Sequence, residues 1–168
     1  MGGTIMKQLY IKQKVFSLSE KFTVKDQEEK DVYYVEGSFM KVPKTFSIMN
    51  QDRDEVALIT KKVLSFLPTF FVEVNGQEVV TIKKEFSFLK AKYSIDAAGI
   101  EVEGNWMDMD FQVLHQGRVV GEVGKEWFSW GDSYRVQVLE DEMETMILAL
   151  VIAIDCVKAD QANNTATF

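Results

Sequence analysis

The chain has one cysteine, two prolines and one histidine in 168 residues, and each scarcity closes a route. A lone Cys156 cannot form an internal disulfide or furnish a cysteine-based zinc site, and it reads as a small, inert core residue. Pro43 and Pro68 are too few to mark a linker, and no shift of composition divides the chain. One domain is expected over residues 7–160, with 1–6 and 161–168 as disordered ends. No motif assigns His115 a nucleophile or an orienting carboxylate, so it reads as solvated or structural. The phosphate loops GxGxxG and GxxxxGK[ST] are missing, as is the serine elbow GxSxG. Asp108 and Asp110 would share one face of a strand, which supplies too few oxygen ligands for a metal. The sequence therefore points to no enzyme, no metal and no cofactor.

Positive charge is also short. Nineteen Lys and Arg stand against 26 Asp and Glu, a net charge of −7. That balance argues against nucleic acid and against general affinity for anionic membranes. The longest apolar run has nine residues, Met146 to Ile154, where a membrane span needs about 18–20. An integral membrane protein is not expected. Polar Lys7 and Gln8 follow Met1–Met6 where a secretion signal would place apolar residues. The expectation is a cytoplasmic protein, at most peripheral at a membrane.

What the chain does contain is organised around the stretch Glu140 to Lys158. Its alanines, leucines and methionines are good helix formers. Glu140, Asp141, Glu142 and Glu144 crowd the end where the helix dipole favours negative charge, and Lys158 stands at the other. A helix apolar on every face must be enclosed. The wrapper is upstream, where short apolar runs alternate with turn signals and give about twelve strands. Hairpins are read at 22–25 with 32–35, at 46–49 with 56–59, and at 72–74 with 79–82 across Asn75-Gly76. Further pairs are read at 93–95 with 100–102 and at 111–114 with 119–123 across Gln116-Gly117. Tyr134 to Val138 leads into the helix. The fold class is mainly β, a closed barrel of about twelve strands enclosing one C-terminal hydrophobic helix.

The middle of the chain repeats. A shift of 41 positions carries Phe70, Gly76, Val79, Lys84, Glu85 and Tyr93 onto Phe111, Gly117, Val120, Lys125, Glu126 and Tyr134. Phe86 falls on Trp127, so Trp127, Phe128, Trp130 and Trp106 read as core aromatics sooner than as a ligand-facing patch. Two copies of one hairpin-plus-strand unit are expected.

With Val32-Tyr33-Tyr34-Val35-Glu36-Gly37, Phe46-Ser47-Ile48, Glu55 to Lys62, Gly104-Asn105-Trp106, Val120 to Lys125 and Glu142 to Asp155 in view, the chain resembles the LURP-one-related family, a tubby-like group. The resemblance covers about Lys7 to Asp160. It implies a tubby-like barrel of twelve strands around a C-terminal helix, and no catalytic motif. The distant tubby domains bind phosphoinositide head groups, and the distant scramblases are membrane-associated. The basic pair with which tubby domains grip phosphate is not matched here, so no residue is carried over.

Charge is unevenly spread. Residues 56–95 hold six lysines against three acids, and residues 96–160 hold fourteen acids against four bases. Lys61, Lys62, Lys83 and Lys84, if neighbouring strands bring them together, would form a basic patch for an anionic lipid head group or another phosphorylated ligand. The plain alternative is lysines dispersed on exposed strand faces. A second functional expectation is a protein-interaction or scaffold domain whose acidic surface around residues 96–142 recognises a basic partner. Both are non-catalytic binding modules.

Overall fold

The computed structural model describes residues 6–12, 21–38, 43–64, 67–85, 92–97 and 99–128, and then 131–165. Twelve strands form one antiparallel sheet: β1 (Lys7–Lys12), β2 (Lys21–Lys25), β3 (Asp31–Gly37), β4 (Lys44–Met49), β5 (Glu55–Leu64), β6 (Leu67–Val74), β7 (Gln77–Glu85), β8 (Lys92–Ala97), β9 (Ile100–Asn105), β10 (Asp110–His115), β11 (Arg118–Phe128) and β12 (Gly131–Val138). The order is β8-β7-β6-β5-β4-β3-β2-β1-β12-β11-β10-β9. Every ladder but one joins neighbours in sequence; the exception pairs β1 with β12 from Lys7↔Val138 to Lys12↔Ser133. That ladder bends the sheet into a nearly closed barrel.

Local chemistry sets the turns. Asn75 and Gly76 have φ of 50° and 80°, and Gln116 and Gly117 have 52° and 79°, the paired positive values of a tight two-residue hairpin. Asp26 and Asn50 play one role in two longer hairpins. Each side-chain oxygen accepts from the backbone N–H two and four residues on, at 2.9–3.0 Å.

The pair expected between 93–95 and 100–102 does not form. Strands β8 and β9 are the two edges of the sheet, and no ladder joins them among the described residues. Just past Asn105, the last residue of β9, a side-chain contact crosses between the two edges. There Tyr93 and Trp106 touch edge-to-face with centroids 6.3 Å apart. The barrel is therefore nearly closed, with an open seam between β8 and β9.

The 41-residue repeat is structural. Strands β6, β7 and β8 correspond to β10, β11 and β12. Phe70↔Ile82 matches Phe111↔Val123, and Lys84↔Tyr93 matches Lys125↔Tyr134. The register slips between Val72 and Glu73 in one copy and between Val113 and Leu114 in the other, also 41 positions apart. A β-bulge repeated at the same place marks a shared unit sooner than chance likeness of hairpins.

A 3-10 turn, Asp141–Met143, precedes helix α1 (Glu144–Thr165). The helix begins later than the expected Glu140 because the Leu139 N–H still bonds the Val120 carbonyl at 2.9 Å, holding the chain in the sheet. It also runs past Lys158, so residues 161–165, expected in a disordered end, are helical. Ile147 through Ile154 are each at most 1 % exposed, as are Leu9, Val24, Val35, Ile48, Ile59, Val72, Ile82 and Val136 from eight different strands. The barrel encloses this stretch of the helix. Among the described residues no helix is long and apolar enough to cross a membrane.

Gly121 shows how tightly the helix is seated. A Cβ there would lie 3.0 Å from Ile147 Cδ1 and 3.2 Å from its Cγ2. The other copy of the repeat has Val80 at this place. The substitution Gly121→Ala is expected to destabilise by about 1–3 kcal/mol, as overpacking does. Adding Ile147→Val should recover part of the loss. Urea midpoints of the two single variants and the double variant check it, and additive losses would contradict it.

Candidate functional site

The expected lysine patch is divided by the strands that carry it. Successive residues on a strand point to opposite faces, so each Lys-Lys pair sends one side chain outward and one inward. Lys62 and Lys83 are exposed and stand in one register row, Lys62↔Thr69↔Lys83. Two strand spacings put them roughly 10 Å apart. Lys62 Nζ lies 5.3 Å from the centre of the Phe71 ring. Lys61 turns inward and makes an ion pair with Asp160 on α1. Lys84 also takes the inward side, its Nζ 6.0 Å from the Tyr93 ring centre. The four ammonium groups thus do not share a surface, and one is already neutralised.

The inward side of that barrel end is a polar collar around the helix. Lys158 Nζ lies 5.5 Å from the Tyr134 ring centre. Burial and Lys125 push the Lys158 ammonium down. The Asp155 carboxyl is pushed up by burial, against the pull of Lys158 and of the Tyr134 hydroxyl that bonds it. The folded chain therefore holds a proton on Asp155 at a pH where the unfolded chain has lost it. The stability this carboxylate costs at neutral pH returns as pH falls through the raised value, and the penalty is gone below the ordinary carboxylate range. Asp155→Asn keeps an acceptor for Tyr134 and removes the charge. It should raise Tm at pH 7, by about 2–4 °C per kcal/mol relieved, and give no gain in strong acid. Thermal melts of the two proteins across that range check it.

At the opposite barrel end Glu144, 8 % exposed, opens the helix. It accepts from Lys7 Nζ at 2.8 Å and from the Tyr33 hydroxyl. Burial first, and then this bond, raise the Tyr33 hydroxyl well above its ordinary range. Both ends of the plug are thus pinned to strands by ionic contacts.

Cys156 is half-buried. Among the described residues no three His, Cys, Asp or Glu side chains gather as metal ligands. Trp106 packs on Tyr93, while the side chains of Trp127, Phe128 and Trp130 lie outside the described residues.

A concave site missed in the sequence lies on the outer face of β9 to β12. It is a groove of about 540 Å³ lined by Glu103, Asn105, Asp110, Gln112, Glu122, Gly124, Arg135 and Gln137, with Gly104, Phe111 and Val123 also reaching it. One register row, Glu103↔Gln112↔Glu122↔Gln137↔Gln8, crosses five strands. Acid and amide alternate along its first four positions. Gln112 Nε2 donates to Glu122 Oε1 at 3.1 Å. The hollow lies over Gly124, where a Cβ would meet nothing within 4 Å. Arg135, opposite Gly124, leans toward Glu126 with an N–O distance of 3.5 Å. The other oxygen of Glu126 is buried and has no hydrogen-bond partner among the described residues. Three carboxylates thus line the groove against one guanidinium, an arrangement that attracts cationic side chains. The available signal was two pairs of acids at alternating positions, Glu101 with Glu103 and Asp108 with Asp110, in the acidic stretch.

Comparison with known proteins adds the ancestry. The chain matches the LURP-one-related family over residues 7–155. It is 31% identical over 153 residues to the uncharacterized protein YxjI of Bacillus subtilis (strain 168), covering 90% of this chain and 94% of that one. An X-ray structure of a protein from Arabidopsis thaliana shares the fold with a TM-score of 0.62 at 13% identity, covering 92% of each chain. With its twelve strands, its enclosed terminal helix and a match along nearly its whole length, the chain belongs to the LURP-one-related family.

Proposed function

We propose that this protein is a non-catalytic interaction module, acting in the cytoplasm, that receives a basic segment of a partner protein in the groove on β9 to β12. The observation that carries this reading is the lining of that groove, with Glu103, Asp110 and Glu122 against Arg135 alone. The groove is open to solvent and its floor is sheet, which suits surface recognition better than enclosure of a reacting molecule.

Two variants test it without disturbing the core. Gly124→Leu fills the hollow and is expected to leave Tm nearly unchanged, because its Cβ would meet nothing within 4 Å. Glu103→Lys with Glu122→Lys reverses the charge on exposed or half-buried outer positions. The charge reversal should weaken binding of a lysine-rich synthetic peptide at least about tenfold at low salt, as lost charge pairing does, and the filled hollow should weaken it by occupying the site. Fluorescence anisotropy measures it. Unchanged affinity in both variants, or a wild-type protein that ignores basic peptides, rejects the proposal.

The anionic-ligand reading keeps one specific support, the exposed pair Lys62 and Lys83 on one row. Co-sedimentation with phosphoinositide vesicles, compared with the Lys62→Glu, Lys83→Glu variant, decides it. A pellet of wild type alone supports it, and no pellet at low salt removes it.

A further inference from the structure

We infer that the basic segment is captured as an added β-strand, running antiparallel along the edge of β9 that faces the open seam, and this rests on the groove reading above. Strand β9 is bonded to β10 on one side, from Asp110↔Asn105 to His115↔Ile100. On its other side no strand is paired among the described residues. A row of unpaired backbone N–H and C=O groups is a template for a further strand. The groove begins at this edge, since Glu103, Gly104 and Asn105 belong to both.

The sequence of the edge states what can pair with it. Ile100 is buried and Val102 half-buried, while Glu101 and Glu103 are exposed on the outer face. Side chains directly opposite on an added strand would have Cβ atoms about 4.5–5.5 Å away. The matching segment therefore alternates basic and apolar residues, with Lys or Arg opposite Glu101 and Glu103. A second copy of this chain would set glutamates against glutamates, and like charges directly opposite are destabilising. The edge thus disfavours self-pairing and selects a cationic partner. Pairing stops near Gly104, whose φ of +118° leaves the extended region, so the added strand is short. Its long basic side chains reach across β9 to the carboxylates of the groove.

The probe is the synthetic peptide acetyl-Lys-Val-Lys-Val-Lys-Val-amide, with two derivatives N-methylated at the odd or at the even residues. Binding to the full chain is measured by calorimetry. Strand addition predicts that one derivative binds at least roughly tenfold more weakly than the parent while the other is much less affected, because only alternate N–H groups face β9. It also predicts slowed hydrogen exchange at residues 100–103 on binding. If both derivatives bind within about twofold of the parent and Glu103→Lys still abolishes binding, strand addition is overturned and the groove reading stands. If the parent peptide fails to bind, both fall.

Discussion

Replacing Leu150 by aspartate is expected to leave no cooperative unfolding transition. Leu150 is completely buried in the first half of α1, with Ile147 to Ile154 enclosed around it. Truncation to alanine at such a site already costs about 3–5 kcal/mol. An unpaired carboxylate there adds the expense of a buried charge with no partner. Together these exceed the ~5–15 kcal/mol that holds an ordinary domain. Leu150→Ala should remain folded with a lowered melting midpoint, while Leu150→Asp should be insoluble or lack a sigmoidal melt by circular dichroism. A soluble Leu150→Asp protein that melts cooperatively would mean that the helix is not inside.

Gly104→Val is expected to destabilise by about 2–5 kcal/mol, combining a strained backbone with overpacking. Gly104 sits at φ +118°, and a Cβ on it would lie 2.8 Å from the Asp110 carbonyl oxygen and 3.0 Å from Phe111 Cα. Those atoms are backbone of the paired strand, so no side-chain rotation relieves the contact. Gly124→Leu is the control, a larger side chain elsewhere in the same sheet whose Cβ would meet nothing within 4 Å. Urea unfolding should show a clear fall in midpoint for Gly104→Val and little change for Gly124→Leu. Equal midpoints would contradict the close approach of β9 and β10.

These two sites show why parts of the molecule were legible in the sequence and others were not. Enclosure of α1 was legible because nine consecutive apolar residues leave no face for water. The twelve strands were legible because their alternation and their turn residues are local signals. Asn75-Gly76 and Gln116-Gly117 each declare a hairpin by themselves. The seam was not legible. Ala97 to Ile100 looks like any other turn, and whether the strands it joins pair depends on curvature imposed by the distant β1–β12 ladder and on Tyr93 meeting Trp106. The lysine pairs could have been read correctly. Lys61-Lys62 and Lys83-Lys84 each lie on a strand, and strand alternation alone divides them between faces. The ion pair of Lys61 with Asp160 spans 99 positions, beyond any local pattern. The groove was only half legible, since the acids were visible but the hollow over Gly124 arises from four strands set side by side.

Hydrogen exchange of the α1 amides tests the enclosure of the helix most directly. In a plug held on all sides, residues 147–154 can open only when the barrel does. Their opening free energy should equal the global unfolding free energy measured with denaturant, and should match that of the core amides of β5, β6 and β12. Exchange of 147–154 through a lower-energy opening, with the strand amides still protected, would show that the helix leaves the barrel by itself and would contradict the architecture described above.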